Sequence, residues 1–165
     1  MENLLKVTIQ LCLGLLIAVT VGCSRNENKM TLTDTDKSEF KVGQVWRYKT
    51  RLGEENSELA IVKVESEAKL GVIVHISLNG LKFKNPHLPN GIQDKMLHFP
   101  FAEQAIKDSV VTMIREDKNL PEFQSGYSEW LAAFNKHGAG VFTLPVAKVL
   151  DVTEAAMNKQ SPDTK

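Results

Sequence analysis

Residues 39–157 read as one α+β domain, an antiparallel meander of about four strands followed by two to three helices packed on one face. Three observations carry this reading. Residues 45–50 alternate with period two and are followed by runs rich in valine and isoleucine, and the links between those runs are short, polar and glycine-bearing. After Pro100 the apolar spacing lengthens to that of a helix.

The first strand is 45–50 (VWRYKT), where Trp46, Tyr48 and Thr50 share one side and Val45, Arg47 and Lys49 the other. Leu59 to Glu65 and Val72 to Leu78, rich in valine and isoleucine, are the second and third. Asn79-Gly80 favours a two-residue turn with positive φ at both positions, which makes Leu81 to Lys84 the returning strand. His75 falls opposite Val72, Val74, Ile76 and Leu78, on the side of the sheet expected to be exposed or half-exposed. Residues 85–91 (NPHLPNG) hold two prolines and a second Asn-Gly, and form a loop.

A first helix is expected from Pro100, which suits the first turn because it has no N–H to leave unpaired. Ala102, Ile106, Val110, Met113 and Ile114 make its inner stripe, while Glu103, Gln104, Lys107, Asp108 and Arg115 face away. The second helix covers about 126–136, with Tyr127, Trp130, Leu131 and Phe134 inward and Gly138 and Gly140 available for left-handed geometry at its end. The third runs from about Pro145 to Met157, with Val146, Val149, Leu150 and Met157 inward and Thr143 as candidate cap.

The amino terminus is of a different kind. Lys6 precedes an apolar run over residues 7–22 that ends Thr20-Val21-Gly22-Cys23. A positive start, a short apolar stretch and a small-residue cleavage site lay out a secretory signal. The run is shorter than the roughly 20 residues that span a bilayer as a helix. Residues 24–38 then turn polar and read as a flexible tether, and 158–165 as a fraying tail. The domain boundaries are therefore 1–22, 23–38, 39–157 and 158–165.

The first 23 residues resemble the lipobox signal of bacterial lipoproteins, although Thr20 stands where that family prefers leucine. The resemblance implies cleavage between Gly22 and Cys23, a diacylglyceryl group on the Cys23 sulfur, and retention at a membrane of the cell envelope. Ser24 in place of aspartate implies the outer membrane in bacteria that sort by that residue. Cys12 would leave with the signal and Cys23 would be capped, so the domain has neither free thiol nor disulfide and stands on its own core.

Lysine plus arginine equals aspartate plus glutamate, 20 of each, and losing residues 1–22 removes one of either sign. A neutral chain lacks the dense basic face of a nucleic-acid binder or of a polybasic membrane patch. His87, Asp94, His98 and Glu103 are the residues of metal-ligand type that fall close together, but no pair has the spacing that puts two ligands on one helical face. Asp94, Glu103 and Asp108 would serve as general acid and base only if burial split their pKa values. No Gly-x-Ser-x-Gly turn occurs, and Gly71, Gly80 and Gly91 are isolated turn residues. Trp46, Tyr48, Tyr127 and Trp130 are either core or the lining of a partner groove. The expectation is an envelope lipoprotein that binds a protein, peptide or envelope component without a cofactor. The alternative is a small hydrolase or metal-dependent enzyme using residues 87–103.

Overall fold

The computed structural model describes residues 30–159. The signal, Gly22, Cys23 and residues 160–165 lie outside the described residues. Valine- and isoleucine-rich alternation builds β2 (Gln44–Tyr48), β3 (Glu58–Glu67) and β4 (Gly71–Lys84), which pair antiparallel in chain order. They are extended by β5 (Ile92–Ala102) beyond β4 and by β6 (Val110–Glu116) beyond β2. A short β1 (Thr33–Asp34) pairs with the far end of β3. With α1 (Glu103–Ser109), α2 (Gln124–Phe134) and α3 (Val146–Lys159), this is an α+β fold with six antiparallel strands rather than four.

Several elements depart from the sequence reading for physical reasons. Asn79-Gly80 makes no hairpin: Gly80 alone takes a positive φ, +78°, and β4 runs through it, with Asn79 paired to both Glu58 and Lys95. Pro100 lies in β5, not in a helix, and its missing N–H falls on the outer strand of the sheet, where proline is tolerated. The first helix stops at Ser109, because Val110 turns extended at φ −71°, ψ 153°. Its supposed continuation is β6, as the β-branched Val110, Val111, Thr112 and Ile114 favour. Met113 and Ile114 are accordingly 43% and 38% exposed and form no inner helical stripe. Residues 33–38, expected in the tether, are packed on the domain through β1 and the buried Ser38.

The start of α3 and the end of α2 are closed differently from the sequence expectation, with His137 instead of Gly138 or Gly140 in the left-handed conformation. Ser109 Oγ donates to Ala105 O at 2.6 Å and accepts Val146 N–H at 2.9 Å, so Ser109, not Thr143, caps α3. At the end of α2, His137 takes the left-handed conformation at φ 58°. His137 N–H then bonds Phe134 O and Gly138 N–H bonds Ala133 O, both at 2.9 Å, the Schellman arrangement.

The main core lies on one face of the sheet. Val74, Ile76 and Leu78 of β4 join Leu59, Ile61, Phe83 and Phe101 beneath Ile106 of α1 and Val146, Val149 and Leu150 of α3. Two helices thus pack on the expected face. The third, α2, packs on the opposite one, where Trp130 and Tyr127 meet His75. Among the described residues no helix is long and apolar enough to cross a membrane.

Candidate functional site

Strand register places a polar group under α2. Lys63 on β3 stands directly opposite His75 on β4, and Glu65 follows two residues on, so all three point to the same face. His75, expected at least half-exposed, is 0% exposed because α2 covers it. Alternation correctly put it opposite Val74 and Ile76, but a helix lies there instead of water.

The group forms a continuous chain. Tyr127 Oη donates to the Glu65 carboxylate, 2.9 and 3.0 Å from its two oxygens. Lys63 Nζ lies 3.4 Å from the same carboxylate and pairs with Asp34 of β1 on its other side. Glu65 Oε2 is 3.1 Å from His75 Nε2, though off the line of a straight N–H···O bond, so the contact is electrostatic. His75 Nδ1 is 2.9 Å from His98 Nε2, and the two rings stack with centroids 5.1 Å apart. Trp130 closes the cluster edge-on to His75 at 4.9 Å, and its Nε1 donates to Gly140 O at 2.8 Å.

Environment fixes the charges. Burial pushes the Glu65 carboxyl up, but His75, Tyr127 and Lys63 together hold it below the usual carboxylate range. Burial depresses His75 against the pull of Glu65. It also depresses His98, to about 4, with His75 adding to the effect. The Tyr127 hydroxyl is raised by burial and by the carboxylate it serves. At neutral pH the site therefore holds one carboxylate, one ammonium and two neutral imidazoles. A carboxylate beside Nε2 favours a hydrogen there, which leaves His75 Nδ1 to accept from His98 Nε2–H.

Gly126 allows this closeness. A Cβ at that position would stand 2.9 Å from His98 Cβ. Gly126→Ala is expected to lower stability by about 1–2 kcal/mol, the overpacking outweighing the gain in helix propensity. The same change at Gly138, where a Cβ meets only Ala133 O at 3.5 Å, should cost less. Urea midpoints of the two variants check the order.

The residues proposed for chemistry from sequence are scattered by comparison. His87 and Asp94 are exposed, His98 is engaged by His75, and Glu103 accepts from Ser38 Oγ at 2.6 Å and faces Lys107 at 3.3 Å. Asp108 accepts from Gln104 at 2.9 Å. Among the described residues no three of His, Cys, Asp or Glu are placed to hold a metal ion. The four aromatics divide between the faces. Tyr48 is buried in the main core with its hydroxyl 2.8 Å from Ser57 Oγ, and Trp46 packs edge-on to Phe40 at 5.7 Å. Tyr127 and Trp130 belong to the polar cluster. Lys63, Glu65 and His75 are what the sequence reading missed as a unit. The signal was available: counting back from the turn at 68–70 sets Lys63 opposite His75.

Beside the cluster a groove of about 510 Å³ runs between residues 34–42 and the start of α2. Phe40, Val62, Val64 and Phe123 contribute its apolar lining, and Asp34, Asp36, Lys41 and Lys63 a rim with two charges of each sign. Comparison of the chain with protein-family models, curated proteins and solved structures finds no match.

Proposed function

We propose that the chain is a lipid-anchored protein of the bacterial envelope, at the outer membrane by its Ser24, whose domain binds a peptide segment of a protein partner without catalysis. The groove beside β1 is the observation that carries this reading. Cys23 and Thr33 are ten positions apart, a span of at most about 35 Å, so a lipid on Cys23 keeps the groove close to the bilayer surface. An apolar lining with a charge-balanced rim, in which Asp34 is already paired with Lys63, suits a segment that carries apolar anchors and little net charge. The buried carboxylate next to it is turned inward: Glu65 is taken up by Tyr127, Lys63 and His75. A photo-crosslinking side chain at Thr35 should give a discrete adduct in cells, weakened by Val42→Arg on the groove wall. The same probe at the fully exposed Leu52 should give none. Identical patterns from positions 35 and 52 would remove the groove from consideration.

A further inference from the structure

We infer that His75 and His98 form an acid-sensitive latch on α2, holding it down while the two rings share one hydrogen and releasing it when both are charged. This goes beyond the groove reading above and meets it at one residue, because Tyr127 of α2 belongs to the groove wall.

The geometry sets a limit on protons. In the neutral pair His98 Nε2–H donates to His75 Nδ1 across 2.9 Å. A first added proton fits: the shared hydrogen moves to His75 Nδ1, and the new proton takes the outer nitrogen of His98. The single positive charge then lies on His75 beside Glu65. A second proton has no such place. It must go to His98 Nε2, so that two N–H groups oppose each other, with their hydrogens about 1 Å apart at the present spacing. The rings have to separate.

Movement falls on α2. His75 is fully enclosed, whereas His98 is partly open and lies directly under the first turn of α2 at Gly126. The surrounding charges do not absorb the strain. From β3, Glu65 offers one negative charge, already shared with Lys63, and Lys63 is shared with Asp34 of β1. From α2 the Tyr127 hydroxyl faces the carboxylate, and Glu129, the helix's one charged residue, is exposed. Glu122 before the helix accepts Ser125 N–H at 3.2 Å, away from the rings.

The pH window follows from the depressed imidazoles. The docked state prefers both neutral, so their contribution is fully present above the ordinary value of 6.5 and is lost as pH falls toward about 4. Glu65, held below the carboxylate range, stays charged through most of this interval.

Hydrogen exchange on the full chain in detergent tests this, with protection factors corrected for the intrinsic pH dependence. Between pH 7 and pH 4 the α2 amides should lose about tenfold or more of their protection relative to β4. His98→Gln keeps a donor for His75 Nδ1 but takes no proton, so its α2 should stay protected. An α2 insensitive to pH in the wild type, or an equal loss in His98→Gln, would overturn the latch. If that variant does not fold, the His98 ring resonances of the wild type decide: their titration must share its midpoint with the loss of α2 protection, and separate midpoints would refute the coupling. No ligand is involved, so a silent α2 leaves the groove reading intact, and a failed crosslink leaves the latch intact.

Discussion

Trp130→Ala is expected to lower the stability of the domain by about 3–5 kcal/mol, a large share of what a domain of this size possesses. Trp130 is 9% exposed, and its ring packs on Phe134 at 4.7 Å, His75 at 4.9 Å and Tyr127 at 5.9 Å between centroids. Truncation removes the largest apolar surface that α2 buries against the sheet. It also leaves the Gly140 carbonyl without its indole donor, a loss of about 0.5–1.5 kcal/mol in its own right. The cavity opens onto the Glu65–His75 contact, so water would reach a charge now shielded by packing. Trp130→Phe keeps a ring and loses the hydrogen bond, and should cost about 1–2 kcal/mol. Urea unfolding followed by circular dichroism, with Trp46 as the remaining fluorophore, gives both numbers. A loss under about 1 kcal/mol for the alanine variant would show that α2 does not seal this face.

What the sequence disclosed depended on whether local pattern or tertiary context decided each element. β2, β3 and the first half of β4 are legible because Val45–Tyr48 alternates and because Leu59–Glu65 and Val72–Leu78 are runs rich in valine and isoleucine between polar, glycine-bearing links. β5 is not, since IQDKMLHFPFA has neither alternation nor freedom from proline, and it is held by pairing with β4. β6 misled because Val110, Met113 and Ile114 fall by coincidence at helical spacing, while pairing with β2 makes them a strand. The side of the sheet for His75 was legible, but not its burial, because nothing local says that α2 crosses to that face. The aromatic stripe Tyr127, Trp130 and Phe134 was read as an inner face, and Trp130 and Phe134 are buried. Its partners were hidden by distance in sequence: Tyr127 and Glu65 are 62 residues apart.

Cys23→Ala should abolish lipid-dependent membrane retention under the proposed anchoring, the largest functional effect expected of any single change. The substitution removes the sulfur that would carry the diacylglyceryl group and leaves intact the apolar run that drives export. Cys12 does not replace it, because it lies inside that run and would leave with it. Each buried methylene contributes about 0.8 kcal/mol, and two or more acyl chains hold a protein stably where one does not, so the difference between lipidated and bare chain is nearly all or none. The neutral domain adds no polybasic attraction to anionic lipid. Wild type should therefore partition into the detergent phase and begin, by intact mass, at an acylated Cys23. The variant should appear either as a released chain or as a full-length form still held by its uncut signal, and mass separates the two. A wild-type chain that is full length and free of lipid would refute the lipoprotein reading. Ser24→Asp then isolates the sorting step: in an organism that reads this position it should move the protein to the inner membrane. An unchanged distribution would keep the anchor and remove the outer-membrane assignment.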